Sequence, residues 1–286
     1  MSIDDRIEEL APGVYHCLTP IAQGGEGMVW RAESRVGESP VALKIFHRLA
    51  GRSYYQELAL MNTVSHPHII RVVDFREDGE NRLLAYEYCA GGTLRRYLEQ
   101  PFANDFEDVL IIAEQMTSAL EYLQNVRLVH GDIKPENILL KRNIGFPQWK
   151  LSDFGLSRPV GAPRQNRGAT PEYLGPEARS GLLTPQSDIY ALGKVLHECL
   201  MIAEPRTEAN SFRPYEEFRQ LVRALTSSDA SRRPSARTAH ACILQLISDL
   251  RAARNSATAN QSGRRHDCSS LHFLPSPIKP LSEDKS

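Results

Sequence analysis

The chain has 286 residues, 41% hydrophobic and 24% charged, with a formal net charge of −1. That length holds one large domain or two small lobes around a real core, and the near-neutral balance gives no general pull toward nucleic acid or an anionic membrane surface. The five cysteines (Cys17, Cys89, Cys199, Cys242 and Cys268) include no C-x-x-C pair, which argues against a disulfide framework or zinc site and fits a reducing compartment. No apolar run reaches the ~18 residues that a membrane span requires. The acidic opening, Met1 to Leu10, lacks an apolar signal-peptide core, so a soluble cytoplasmic protein is expected.

From Val14 to Tyr88 the pattern predicts short strands and one helix. Val41, Leu43 and Ile45 alternate with Ala42, Lys44 and Phe46, a period-2 strand that puts Ala42 and Lys44 on one face. Tyr54, Leu58 and Met61 recur at helical spacing with Glu57 beside them. Further strands are predicted at Ile69–Phe75 and Arg82–Tyr88. After the two-glycine joint Gly91-Gly92 the pattern turns helical, with Asn104 and Glu107 as a capping-box pair and Val109, Ile112, Ala113, Met116, Leu120 and Leu123 as a buried face. The segment Ser187–Met201 is apolar nearly all round, which predicts a central helix. Helices are predicted at Tyr215–Leu225 and Ser235–Arg251. From Asn255 the composition shifts to Ser, Asn, Pro and basic residues, and disorder is expected.

Three segments carry chemistry. In Ala22-Gln23-Gly24-Gly25-Glu26-Gly27-Met28-Val29, glycines between two strands let backbone N–H groups approach phosphates; a plain hairpin turn is the alternative. Lys44 is a single cation in an apolar strand and needs a partner if buried. Glu57 is the natural one, since Asp74 is the only other acid between Ile45 and Arg76. A solvated edge lysine is the competing reading. The third segment is His130-Gly131-Asp132-Ile133-Lys134-Pro135-Glu136-Asn137, followed by Ser152-Asp153-Phe154-Gly155. Asp132 can accept a proton from a hydroxyl, and Asn137 and Asp153 offer hard oxygen donors suited to Mg²⁺.

Taken in order, these motifs resemble a eukaryotic-type (Hanks-type) protein kinase of the Ser/Thr branch, from about Tyr15 to Leu250. The resemblance implies an α+β, two-lobed protein kinase-like fold. A β-rich N-lobe is expected at about 14–90 and an α-helical C-lobe at about 91–252, with an N-terminal extension at 1–13 and a disordered tail at 253–286. It implies ATP and Mg²⁺, or Mn²⁺ in its place, and a protein or peptide substrate bearing Ser or Thr. From the charge balance and the lack of a long apolar run, no nucleic-acid partner and no membrane span are expected. The ATP site would comprise Ala22, Gln23, Gly24, Gly25, Glu26, Gly27, Val29, Ala42, Lys44, Glu57, Tyr86, Glu87, Cys89 and Leu139. Within it the Gly24–Gly27 turn covers phosphates, Lys44 oriented by Glu57 holds them, and Val29, Ala42 and Leu139 sandwich adenine. The Glu87 carbonyl and Cys89 amide meet the base, and Tyr86 guards the back of the pocket. Asp132 is the expected base, Lys134 the γ-phosphate cation, and Asn137 and Asp153 the metal ligands. Lys134 and Thr170 match the Ser/Thr branch, and Ala169–Glu177 resembles the substrate-binding loop. Glu177 with Arg233 matches a buried ion pair, and Asp188 matches a brace for the catalytic loop.

The departures are specific. Ala22 stands where a first glycine is usual, and Gly175 replaces an alanine. Gly131 replaces the arginine that receives an activation-loop phosphate in many kinases. No Ser, Thr or Tyr lies between Arg158 and Ala169, so independence of activation-loop phosphorylation is expected. Arg158, Arg164 and Arg167 read as selecting an acidic substrate or ordering the loop, with a solvated loop as the alternative. Lys44 and Glu57 are close in sequence, and the stretch from Met201 to Tyr215 is short. Leu274-Pro275-Ser276-Pro277 reads as a partner-docking or phosphorylation site, against unused disorder. A kinase-fold binding module and a small-molecule kinase remain as rival functions. Filled chemical positions oppose the first, and Lys134, Thr170 and the Pro171–Glu177 loop oppose the second.

Overall fold

The computed structural model describes residues 7–8, 10–35, 37, 39–100, 105–142, 146–162, 170–203 and 213–262. Asn104, Arg164, Arg167, Ala169, residues 204–212 and the 274–277 segment lie outside them. The chain divides into two units, Met1–Ile247 and Ser248–Ser286. The first carries both lobes; of the second, the described part is helical.

Strands β1 (Tyr15–Gln23), β2 (Gly27–Ser34), β3 (Val41–Phe46), β4 (Val72–Asp78) and β5 (Asn81–Glu87) form one antiparallel sheet in the order β1-β2-β3-β5-β4. Alternation in β3 holds from Val41 to Ile45: Val41, Leu43 and Ile45 are buried, while Ala42 and Lys44 are half-buried on the other face; Phe46, on that same face, is buried too. The buried face packs with Ala32, Leu83 and Ala85, and also with Ile7, Leu10, Ala11 and Tyr15. Residues read from the sequence as an extension therefore supply core to the sheet. Strand β4 starts three residues later than the predicted Ile69. Ile69 and Ile70 are buried, but the Ile70 N–H donates to the Leu151 carbonyl at 2.9 Å. A β-branched pair suits any pleated surface, and the backbone partner decides which one it joins.

Helix α1 (Gly51–Met61) follows directly on a 3₁₀ turn at Arg48–Ala50 and starts without a capping side chain. Its buried residues are Tyr54, Glu57 and Met61. Glu57 takes the place in the stripe that periodicity had given to Leu58, because its carboxylate has partners.

The second lobe contains α2 (Leu94–Leu98), α3 (Phe106–Asn125), α4 (Pro176–Arg179), α5 (Pro185–Ile202), α6 (Arg213–Leu225) and α7 (Ala236–Ser262). Two short antiparallel pairs join it: β6 (Leu128–Val129) with β9 (Arg158–Pro159), and β7 (Ile138–Lys141) with β8 (Gln148–Leu151). This is the two-lobed kinase fold. Asp105, not Asn104, caps α3, its side chain accepting from the Glu107 N–H. Helix α5 is central as expected: Ile189, Leu192, Val195, Leu196 and Cys199 form one buried face, and Ser187, Ala191, Gly193 and Leu200 beside it are buried as well. Helix α7 runs to Ser262, so residues 255–262, expected to be disordered, are helical. Gly91 is no loose joint. Its N–H donates to Leu140 O, and Leu140 N–H returns to Gly92 O, both at 2.8 Å.

Candidate active site

The β2–β3 register sets Lys44 opposite Val29 and aims its ammonium at three carboxylates. Its Nζ lies 2.6 Å from Glu57 Oε2, 3.4 Å from Asp153 Oδ1 and 3.5 Å from Glu26 Oε2. Burial works against a charged lysine, yet Glu57, Asp153 and Glu26 together raise the Lys44 pKa above its ordinary value. Glu57 is 1% exposed. Burial raises its pKa, against the opposing pull of Lys44 and a hydrogen bond from Tyr86. That bond, from the Tyr86 hydroxyl to Glu57 Oε1, has no signature in the sequence, where Tyr86 is expected only to guard the back of the pocket.

The turn between β1 and β2 is closed by the Gly24 N–H donating to the Gly27 carbonyl at 2.9 Å. Gly27 is required by space: a Cβ there would stand 2.2 Å from the Ile45 carbonyl oxygen. Gly24 and Gly25 have open surroundings. Ala22 sits within β1 opposite Val29, with Gln23 opposite Met28. The missing first glycine is thus a strand residue, where a methyl group is tolerated.

Val29, Ala42 and Leu139 are half-buried on β2, β3 and β7, as residues lining a cleft are. Tyr86 and Glu87 pair with Ala42 and Val41 across the β3–β5 ladder, and buried Cys89 follows. The Glu87 carboxylate meets Lys141 Nζ at 2.5 Å and Lys150 Nζ at 2.8 Å and accepts the Arg71 N–H at 3.0 Å. Burial raises its pKa, but the two lysines outweigh that and hold it below the ordinary value. The inter-lobe segment is thereby tied to β7 and β8.

The loop after β6 is built on Asp188 of α5. Its carboxylate accepts the His130 N–H at 2.7 Å and the Gly131 N–H at 2.9 Å. Burial pushes the Asp188 pKa up to about 7 against those two bonds. His130 is fully buried, packs edge-on against Phe154 at 4.8 Å, and reaches Ser152 O at 3.0 Å; burial lowers its pKa. On this frame Lys134 Nζ donates to Asp132 Oδ2 at 2.7 Å and to Thr170 Oγ1 at 3.1 Å. Asn137 Nδ2 donates to the Asp132 carbonyl at 2.8 Å and to Asp132 Oδ2 at 3.0 Å. The Thr170 N–H completes the set on Asp132 Oδ1 at 3.3 Å. A carboxylate so held can accept a proton from a hydroxyl while a neighbouring cation offsets charge on an electrophile.

Asp153 has φ +62°, left-handed backbone that costs an ordinary residue and recurs where function requires it. Burial opposes its ionisation, but Lys44, His130 and Lys134 hold its pKa below the usual carboxylate value. With Asn137 Nδ2 bonded to Asp132, its amide Oδ1 and the Asp153 carboxylate are the oxygen groups that could hold a metal. Among the described residues no group of three or more His, Cys, Asp or Glu could hold a metal. Two oxygen side chains with a phosphate ligand completing the shell fit Mg²⁺, which keeps few protein ligands.

Glu177 and Arg233 form a two-pronged pair at 2.7 and 2.9 Å. A Cβ on Gly175 would stand 2.9 Å from both Glu177 carboxylate oxygens, so the glycine accommodates that pair. Arg158 contradicts the reading of it as a substrate-facing cation: it is 6% exposed and donates to Leu156 O at 3.1 Å. Its neighbour in β9, Pro159, is exposed, so Arg158 turns inward alone, and sequence charge does not reveal which cations do so. The contacts of Glu26 with Lys44 and of Tyr86 with Glu57 leave no local pattern in the sequence, because each joins distant chain segments.

Comparison with known proteins agrees with this geometry. The protein kinase domain family model matches residues 15–258. The serine/threonine-protein kinase RUNKEL of Arabidopsis thaliana is 28% identical over 94% of this chain and 20% of its own length. ULK3 of Xenopus laevis is 34% identical over 62% and 38%, and PrkC of Bacillus subtilis is 33% identical over 66% and 30%. The chain thus spans between a fifth and two fifths of the length of these relatives. With the family model covering most of the sequence and the fold agreeing, the chain belongs to the protein kinase family.

Proposed function

We propose that this chain is a Ser/Thr protein kinase that transfers the γ-phosphoryl group of ATP to a protein hydroxyl. The observation that carries the reading is the Asp132–Lys134–Thr170 contact, with Asn137 on the same carboxylate. The relatives' description as serine/threonine kinases supports it. Asp132 orients the attacking hydroxyl and takes its proton as the oxygen–phosphorus bond forms and the bond to the β-phosphate oxygen breaks. Lys134 offsets charge on the moving phosphoryl group, and Lys44, held by Glu57, fixes the remaining phosphates. Asn137 and Asp153 would hold Mg²⁺, or Mn²⁺ in its place, which when bound neutralises phosphate charge. Catalysis rests mainly on positioning and charge. Incubation with labelled ATP and a generic protein substrate, followed by phosphoamino-acid analysis, tests this. Phosphoserine or phosphothreonine is expected, and Asp153→Asn abolishes turnover with the fold intact. Phosphotyrosine alone, or an active D153N, counts against it.

Activity independent of activation-loop phosphorylation is part of the proposal. Gly131 has φ +82°, and a Cβ there would stand 2.9 Å from Leu183 Cδ2, so this backbone favours glycine and disfavours arginine. The segment between Arg158 and Ala169 offers no hydroxyl to phosphorylate. Phosphatase-treated enzyme should keep its activity; an essential phosphate on Ser157 or Thr170 counts against the idea.

A further inference from the structure

We propose that Glu26 competes with the nucleotide's phosphates for Lys44 and so sets nucleotide affinity. The inference rests on the ATP reading above and extends it to a residue that opposes binding. Three carboxylates face one ammonium: Glu57, Asp153 and Glu26, at 2.6, 3.4 and 3.5 Å. A polyphosphate needs that ammonium and meets the surplus negative charge on arrival. Glu57 cannot yield its place, being buried and also bonded to Tyr86. Asp153 belongs to the proposed metal site. Glu26 is the one of the three built to move.

Its backbone is fixed while its side chain is not. The His47 N–H donates to the Glu26 carbonyl at 2.8 Å, and Gly27 is pressed against the Ile45 carbonyl, so the turn resists sliding. The Glu26 side chain is 36% exposed, which leaves it a solvent route by rotation alone. It reaches deep: Glu26 Oε2 lies 2.9 Å from where a Cβ on Gly155 would stand, and Asp153 Oδ1 lies 3.4 Å from the same point. Gly155 thus gives room to a carboxylate from the opposite lobe, next to the groups that handle phosphate and metal. An incoming phosphate replaces one anion by another on Lys44, and the displaced carboxylate lowers the net gain.

Titration of the full chain with ADP by calorimetry, with and without Mg²⁺, tests the inference on wild type, Glu26→Gln and Glu26→Ala. Both variants should bind ADP about threefold more tightly, the size that a partly exposed ion pair carries. The gain should shrink at high salt. Unchanged affinity, or the two variants moving in opposite directions, overturns the competition. Weaker ADP binding together with a higher Mg²⁺ requirement also overturns it, since Glu26 would then be a metal ligand. A wild type that binds no ADP at all removes the nucleotide reading and this inference together. Wild-type binding matched by both variants removes only the inference.

Discussion

Glu57 shows how one buried charge organises the site. A carboxylate in a low-dielectric interior is tolerated when its oxygens are all hydrogen-bonded, and here Lys44 takes one and the Tyr86 hydroxyl the other. Tyr86→Phe keeps the ring and deletes the donor, leaving Glu57 Oε1 buried and short of a partner. That deficit costs about 1–3 kcal/mol. We expect a lower melting temperature in calorimetry and a raised KM for ATP, because a less anchored Glu57 orients Lys44 less well. An unchanged melting temperature and KM would show that the hydroxyl contributes nothing. At this scale the sequence was legible for chemistry and mute about direction. Lys44, Asp132, Lys134, Asn137 and Asp153 could be picked out by residue type and order. The Tyr86 hydroxyl could not, since its partner lies 29 positions away, and Arg158 looked like a surface cation until its burial was seen.

Among the elements, those defined by periodicity were read well. Alternation fixed the faces of β3, and the all-round apolar character of α5 placed it at the centre. Edges were read less well, because they depend on partners from elsewhere in the chain. Ile69 and Ile70 would suit the sheet, yet they bond to the segment around Leu151, and α7 continues past a composition that argues for disorder. Helix packing carries its own signature at Gly193 of α5. A Cβ there would stand 2.8 Å from Leu225 Cβ and 2.8 Å from Thr226 Cγ2, so the absence of a side chain sets how closely α6 and the turn after it approach. Gly193→Ala improves helix propensity by about 1 kcal/mol, but overpacking against atoms so near the backbone costs about 1–3 kcal/mol. The packing cost wins, and thermal denaturation should show a lower midpoint. A raised midpoint would mean that α6 gives way freely.

Across the whole molecule, specific links join the lobes. The Ile70 N–H bonds Leu151 O, Glu87 meets Lys150, and the Gln56 amide donates to Ser157 O at 3.0 Å. Each joins the N-terminal lobe to the segment running from β8 to Ser157. The Glu177–Arg233 pair secures the segment leading into α5; removing one partner of such a pair costs about 3–5 kcal/mol. The packing of Ile7, Leu10 and Ala11 on the sheet has a practical consequence for anyone producing this protein. The family match begins at residue 15, and a recombinant chain trimmed to that point would lose all three side chains and bare the apolar patch beneath them. Surfaces of that kind drive self-association. Such a trimmed protein should melt earlier and scatter more light on concentration than one that keeps its first fourteen residues; equal behaviour would show that the sheet face is covered without them.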